Sequence, residues 1–126
     1  MQDRHLNLLL WLWAAGAVCS AIAHLAVPSW TSAGTTWPMS EHWQREIAWF
    51  DLFAAALFVW TTRQSEAAVR RFVSLLLCAL SLVLGENHLE GWLHQPRIFH
   101  VMFTILNGLA LLWAGLAYRA LGQRTD

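Results

Sequence analysis

Four apolar stretches separated by short polar segments organise the chain, at about 6–27, 46–62, 72–93 and 98–118. At roughly 1.5 Å of rise per helical residue, each can cross a hydrocarbon core of about 30 Å, although the second needs its polar flank to do so. The first stretch stops at Pro28, and the polar segment 29–43 behind it reads as a loop. Gln95, Pro96 and Arg97 form the turn before the fourth stretch. This pattern predicts an all-α integral membrane protein: a four-helix bundle in one transmembrane domain, 1–126. Short connections favour up-down-up-down order. The first stretch has the apolarity of a signal peptide, but its length suits a span and three more follow.

Arginines orient the bundle, because cytoplasmic flanks carry the excess of positive residues. Arg4, Arg63, Arg70, Arg71, Arg119 and Arg124 fall at one end, while Arg45 and Arg97 fall at the other. Both termini are therefore expected on the cytoplasmic side.

Composition agrees with a lipid-embedded chain. Hydrophobic residues make up 57% and charged residues 13%, well below the roughly 25% charged of a soluble domain. Eight basic and eight acidic residues cancel, so no positive excess is available for nucleic acid. Most of the nine tryptophans lie near the ends of apolar stretches, where indole suits a membrane interface. Cys19 and Cys78 both fall inside apolar stretches and are expected as free thiols. Small residues on the first helix (Ala14, Ala15, Gly16, Ala17, Ser20, Ala21) and on the second (Ala54, Ala55, Ala56) permit close helix contact, within the bundle or in a homo-oligomer.

The remaining ionisable residues sort unevenly along this topology. His24, Glu41, His42, Glu46, Asp51, Glu86, His88, Glu90, His94 and His100 all lie toward the outer ends of the helices. Glu86, Glu90 and His94 share a helical stripe; His100, Thr104 and Asn107 form another that runs toward the bilayer middle. Glu41 and His42, like Arg45 and Arg97, suit headgroups and water. Asp51, His88, His100 and Asn107 are different, since an ionisable or amide group within a membrane helix is costly unless it faces protein or water. Structural hydrogen bonding is one explanation for them. Function is the other.

Three chemistries could use such a group. The first is acid–base catalysis on a lipophilic small molecule, an isomerase, cyclase or hydratase type of reaction. Here Glu46 and Asp51 serve as acid or base, His88 and His100 as partners and Asn107 as an orienting group. Trp37, Trp43, Trp49, Trp92 and Thr104 would line the substrate's path, with indole faces suited to a developing cation. The second makes the residues ligands: His24, Glu86, Glu90 and His94 for a divalent metal, or His100, His88 or His24 as the axial ligand of a b-type haem. No cofactor is favoured by spacing alone, as Glu90 with His94 is the one histidine–carboxylate pair spaced by four on a predicted helix. The third is a proton-coupled carrier, against which the cytoplasmic halves of the helices look almost featureless. A helper subunit of a larger membrane complex would leave the polar group without catalytic meaning.

The Trp37–Pro38 pair, the segment from Gln44 to Glu46 and the step from Gly85 to His88 resemble patterns in small bacterial four-helix membrane proteins of a DoxX-like kind. That resemblance covers the last three helices and implies the bundle fold and a bacterial inner membrane. His100 through Asn107 and Gly108 is similar to the helix that carries the haem-ligating histidine in styrene oxide isomerases, which implies haem as a cofactor.

Overall fold

The computed structural model describes residues 2–122, so Arg124 and Asp126 lie outside the described residues. Five helices follow one another: α1 (Gln2–Ala26), α2 (Pro28–Ala33), α3 (Glu41–Thr61), α4 (Ala67–His94) and α5 (Ile98–Gly122). No strand occurs among the described residues. The expectation of an all-α chain is met, with one correction. Segment 29–43 is not simply a loop, because Pro28 opens the short helix α2. A proline in the first helical turn loses no hydrogen bond, since that N–H would be unsatisfied anyway, and its fixed φ already suits a helix.

Three helices are long and apolar enough to cross a membrane: 4–26, α4 and α5. Their surfaces fit that environment, with Leu93 78%, Leu112 68% and Leu116 67% exposed. Helix α3 is not among the three. Glu41, Arg45 and Glu46 occupy its first two turns and Asp51 follows, leaving only about 22 Å of helix between Ile47 and Thr61 at the usual rise.

The long helices pair as two antiparallel hairpins. Helix α1 packs along α3 and α4 along α5, while α1 with α5 and α3 with α4 meet far less. Heptad-like spacing explains both seams. On α1 the buried residues are Leu6, Leu9, Leu10, Ala14, Ala17 and Ala21; on α3 they are Gln44, Ala48, Ala55, Phe58 and Thr61. Alanine against alanine lets the backbones approach, which matters in lipid, where helix association rests on van der Waals fit rather than on expelling water. Half of the small surface of α1 is thus used within the chain, and Gly16 on the other side would meet nothing if given a Cβ. Trp13 closes this seam edge-on to Phe58, with ring centroids 5.9 Å apart.

Between α4 and α5 the seam is tighter. A Cβ on Gly85 would come within 3.2 Å of the Asn107 Cβ, and one on Gly91 would collide with the His100 ring. The segment after α2 then folds over the start of α5. Phe99 N–H donates to the Gly34 carbonyl at 3.0 Å, satisfying one of the four amides that a helix N-terminus leaves free. Gly34 is required at this contact, because any side chain would enter the Phe99 ring.

Candidate functional site

The tight α4–α5 seam sets the geometry at the end of the helices where α4 stops and α5 begins. His88 and Gly91 are buried on the inner face of α4, and the absence of a side chain at Gly91 makes the space into which the His100 ring fits. His100 is completely buried and His88 is 9% exposed. Their Nδ1 atoms stand 3.2 Å apart.

Outside this pair, the segment after α2 supplies a third member. Thr36 N–H donates to His100 Nε2 at 2.9 Å, and the Thr36 hydroxyl lies at the same distance. A backbone amide can only donate, so Nε2 carries the lone pair. A neutral imidazole has one donor and one acceptor, which puts the His100 proton on Nδ1, directed at His88. His88 Nδ1 therefore accepts, and the His88 proton sits on Nε2. These positions follow from the bonding pattern. Trp37 covers both rings, at 5.0 Å from His88 and 5.1 Å from His100, and Phe103 packs 5.0 Å from His88.

Thr104 and Asn107 continue the same face of α5. Thr104 donates to the His100 carbonyl at 2.8 Å, and the Asn107 amide donates to the Phe103 carbonyl at 2.8 Å. Asn107 Oδ1 is buried with no partner, as is the hydroxyl of Ser81 on α4.

A second polar group forms on the other hairpin. Gln44 Oε1 accepts from the Thr31 hydroxyl at 2.7 Å and is bonded to His24 Nδ1, while Gln44 Nε2 donates to Ser32 Oγ at 3.0 Å. The Pro28 carbonyl is also 2.7 Å from the Thr31 hydroxyl and shares its single proton. Deeper in the same seam, Asp51 lies near Ser20 and His24; its Oδ2 is buried without a hydrogen-bond partner.

The outer-end residues are thus not gathered into one group. His88, His100 and Trp37 come together; His24 and Asp51 belong to the α1–α3 seam. Glu46 faces outward and pairs with His42 at 3.1 Å. Glu86 is exposed, and Glu90 with His94 forms an exposed pair at 3.9 Å. Trp43 and Trp49 are 64% and 65% exposed and Trp92 is 36% exposed; Trp43 meets the ring of His42 at 6.1 Å and lies away from the His88–His100 pair. The reason is rotational. Glu86 and Glu90 each lie two residues from His88, about 200° around a helix of 3.6 residues per turn. Thr36, Gln44, Thr31 and Ser32 were missed as site residues. A threonine in a loop and a glutamine at a helix start carry no signal until the fold brings them to a histidine.

The donor set also bears on metal binding. His100 has no nitrogen free for a metal, because Nε2 receives Thr36 and Nδ1 holds the proton given to His88. Loading Nδ1 while Nε2 still accepts would require an imidazolate. His24 donates from Nδ1 to Gln44 Oε1, which leaves a lone pair on Nε2, but Glu86, Glu90 and His94 lie on α4 in the other hairpin and are exposed. Among the described residues, no group of three or more His, Cys, Asp or Glu side chains could hold a metal ion. The arrangement fits neither a haem on His100 nor a metal shared by His24, Glu86, Glu90 and His94. It fits a chain of proton donors and acceptors.

No protein-family model, curated protein or solved structure matches this chain.

Proposed function

We propose that the protein is a four-span integral membrane enzyme that transfers a proton to a lipophilic small molecule, with His88 meeting the substrate and His100 positioning and recharging it. The supporting observation is the directed chain from Thr36 through His100 to His88. In this reading α3 is the fourth span. Its 21 residues give about 32 Å of helix, with Glu41, Arg45 and Glu46 at headgroup level. Arg4, Arg63, Arg70, Arg71 and Arg119 then mark the cytoplasmic side, with Arg45 and Arg97 opposite, so the bundle runs up-down-up-down with both ends inside, in a bacterial inner membrane.

The chain works as a relay. His88 Nε2 gives its proton to the substrate while His88 Nδ1 takes the proton from His100 Nδ1. His100 Nε2 takes the Thr36 hydroxyl proton, and water at the exposed Thr36 replaces it. Each ring loses one proton and gains one. After transfer, His100 holds a proton on Nε2 facing the Thr36 amide, two donors opposed. That clash favours the reverse relay: His88 Nε2 takes a proton released by the substrate intermediate at another position, His88 Nδ1 returns one to His100 Nδ1, and His100 Nε2 gives one back through the Thr36 hydroxyl to the hydroxide left on water, so His88 rests as an acid. Trp37 and Phe103 give the reacting edge an apolar wall suited to a lipophilic body. The carrier reading has less support, since fully buried Leu77 separates Ser74 from Ser81 on the inner face of α4.

Proteoliposomes containing the protein, incubated in D2O with lipophilic epoxides, enones and isoprenoid alkenes, test this reading. We expect the wild type to place deuterium in at least one compound. His88→Gln should slow incorporation by about 100-fold or more, the usual range for loss of a positioned acid. Incorporation that is absent from the wild type, or equal in His88→Gln, removes the proposal.

A further inference from the structure

At the opposite, arginine-rich end, two apolar grooves flank the first turns of α4. One, of about 420 Å³, runs between α3 and α4 and is lined by Leu57, Trp60, Val69, Val73 and Leu76 together with Ala68 and Phe72. The other, of about 340 Å³, lies toward α5 and is lined by Ala67, Leu75, Arg71 and Tyr118, again with Ala68 and Phe72. The two therefore share a low saddle at Ala68 with Phe72 standing as the ridge between them, and Phe72 is 60% exposed. From Ala68 to Leu76 the helix rises about 12 Å, close to one leaflet of a hydrocarbon core about 30 Å thick.

Charge distinguishes this face from an ordinary lipid-facing surface. Arg71 is held over the Tyr118 ring, with its guanidinium carbon 4.5 Å from the centroid, at the wall of the second groove. Among the described residues no carboxylate pairs with it, and its Nε is buried without a hydrogen-bond partner. Arg63 lies in the turn just before α4, and among the residues with described side chains an opposing charge there is Glu66, exposed at the N-cap. A cation with no carboxylate partner among the described residues, beside two apolar grooves that share Ala68 and Phe72, matches a headgroup anion joined to two hydrocarbon chains. A guanidinium is suited to phosphate oxygens because of its planar fork of donors.

We propose that this face binds one anionic diacyl phospholipid, with a chain in each groove astride Phe72 and the phosphate on Arg71. A free phosphate would leave both grooves unfilled, and a zwitterionic lipid would leave the arginine excess unbalanced.

Native mass spectrometry on the protein released from nanodiscs made with equal phosphatidylglycerol and phosphatidylcholine tests the proposal. One bound lipid is expected, with phosphatidylglycerol enriched at least fivefold over the bulk ratio. Arg71→Gln should bring that ratio to unity, Ala68→Trp should abolish retention of either lipid by filling the saddle, and Glu66→Gln should increase the enrichment. Circular dichroism checks that each variant stays helical, and Glu66→Gln keeps the test decisive if Arg71→Gln does not fold. Retention at the bulk ratio by the wild type, an unchanged preference in Arg71→Gln, or efficient disulfide cross-linking between two copies of Ala68→Cys in place of lipid overturns it.

Discussion

At one end of the helices an arginine is buried, and at the other a histidine. Arg70 is 5% exposed, donates to Asn7 Oδ1 at 2.9 Å and reaches the carbonyls of Thr61 and Gln64 at 3.5 and 3.4 Å. It ties the starts of α1 and α4 to the end of α3 and the turn behind it. His100 is buried still more deeply and ties the start of α5 to α4 and to the segment after α2. The difference lies in what each group can exchange. A guanidinium stays protonated and can only donate, so oxygen acceptors are what hold it in place. Imidazoles donate at one nitrogen and accept at the other, so the Thr36–His100–His88 chain ends in a proton that can leave. Burial at the arginine end makes a joint; at the histidine end it makes a relay.

The largest expected effect breaks the joint. Arg70→Met keeps the buried stem and removes donors from Asn7, Thr61 and Gln64. With hydrogen bonds to charged groups contributing about 1.5–3 kcal/mol each, and the freed carbonyls partly recovered by water, we expect a loss of roughly 3 kcal/mol. Arg70→Lys should recover about half of it, as an ammonium lacks the fork. Reversible unfolding in mixed detergent reads both, and an Arg70→Met variant as stable as the wild type would show that the joint is ornamental.

Next comes Gly91→Ala, which sharpens the comparison at the histidine end. The new Cβ would enter the His100 ring, so ring or helix must move at a cost of about 1–3 kcal/mol. Nitrogen NMR of labelled histidines should show the Nδ1 protonation of His100 lost. Gly108→Ala is the control, with open space around its Cβ and a helix-propensity gain of up to about 1 kcal/mol. Equal behaviour of the two variants would mean that ring placement does not depend on Gly91. Gln44→Leu should cost somewhat less, about 1–2 kcal/mol, by leaving His24 and Ser32 without their Gln44 partner while Thr31 keeps the Pro28 carbonyl, and should change the His100 signal less than Gly91→Ala does, since Gln44 reaches His100 only through α2 and the segment after it.

Much of this was legible in the chain, and the failures have physical causes. Stretches 6–27, 72–93 and 98–118 fall within or almost within α1, α4 and α5, because apolar length is a local property. Stretch 46–62 differs more: helix α3 starts five residues earlier, at Glu41, with polar turns that an apolar pattern cannot include. Buried positions at His88, His100 and Asn107 were readable, as His100 and Asn107 are seven residues apart and His88 is seven from Ser81, which places each pair on one face. Thr36 was not readable. It meets His100 across 64 positions of sequence, a distance that only the docking of the segment after α2 over α5 closes. Trp43 and Trp49, expected to line a substrate's path, sit on faces of α3 that turn outward.

The smallest expected effect concerns the stripe of Glu86, Glu90 and His94, which tests whether rotation on α4 really divides the outer end. Glu90 and His94 are 72% and 77% exposed in their side chains and 3.9 Å apart, a separation at the limit of an ion pair and open to screening by salt. Exposed pairs of this kind contribute about 0–1 kcal/mol, with helical pairs near the lower part of that range. Glu90→Gln and His94→Gln should therefore leave thermal stability and the His100 NMR signal unchanged. Deuterium transfer should also be unchanged, because Glu90 points about 200° away from His88 around the helix axis. A loss of transfer in Glu90→Gln as large as in His88→Gln would place the stripe within reach of the reacting proton. It would require α4 to turn by nearly half a revolution in the working protein, which the contact of Gly91 with His100 forbids.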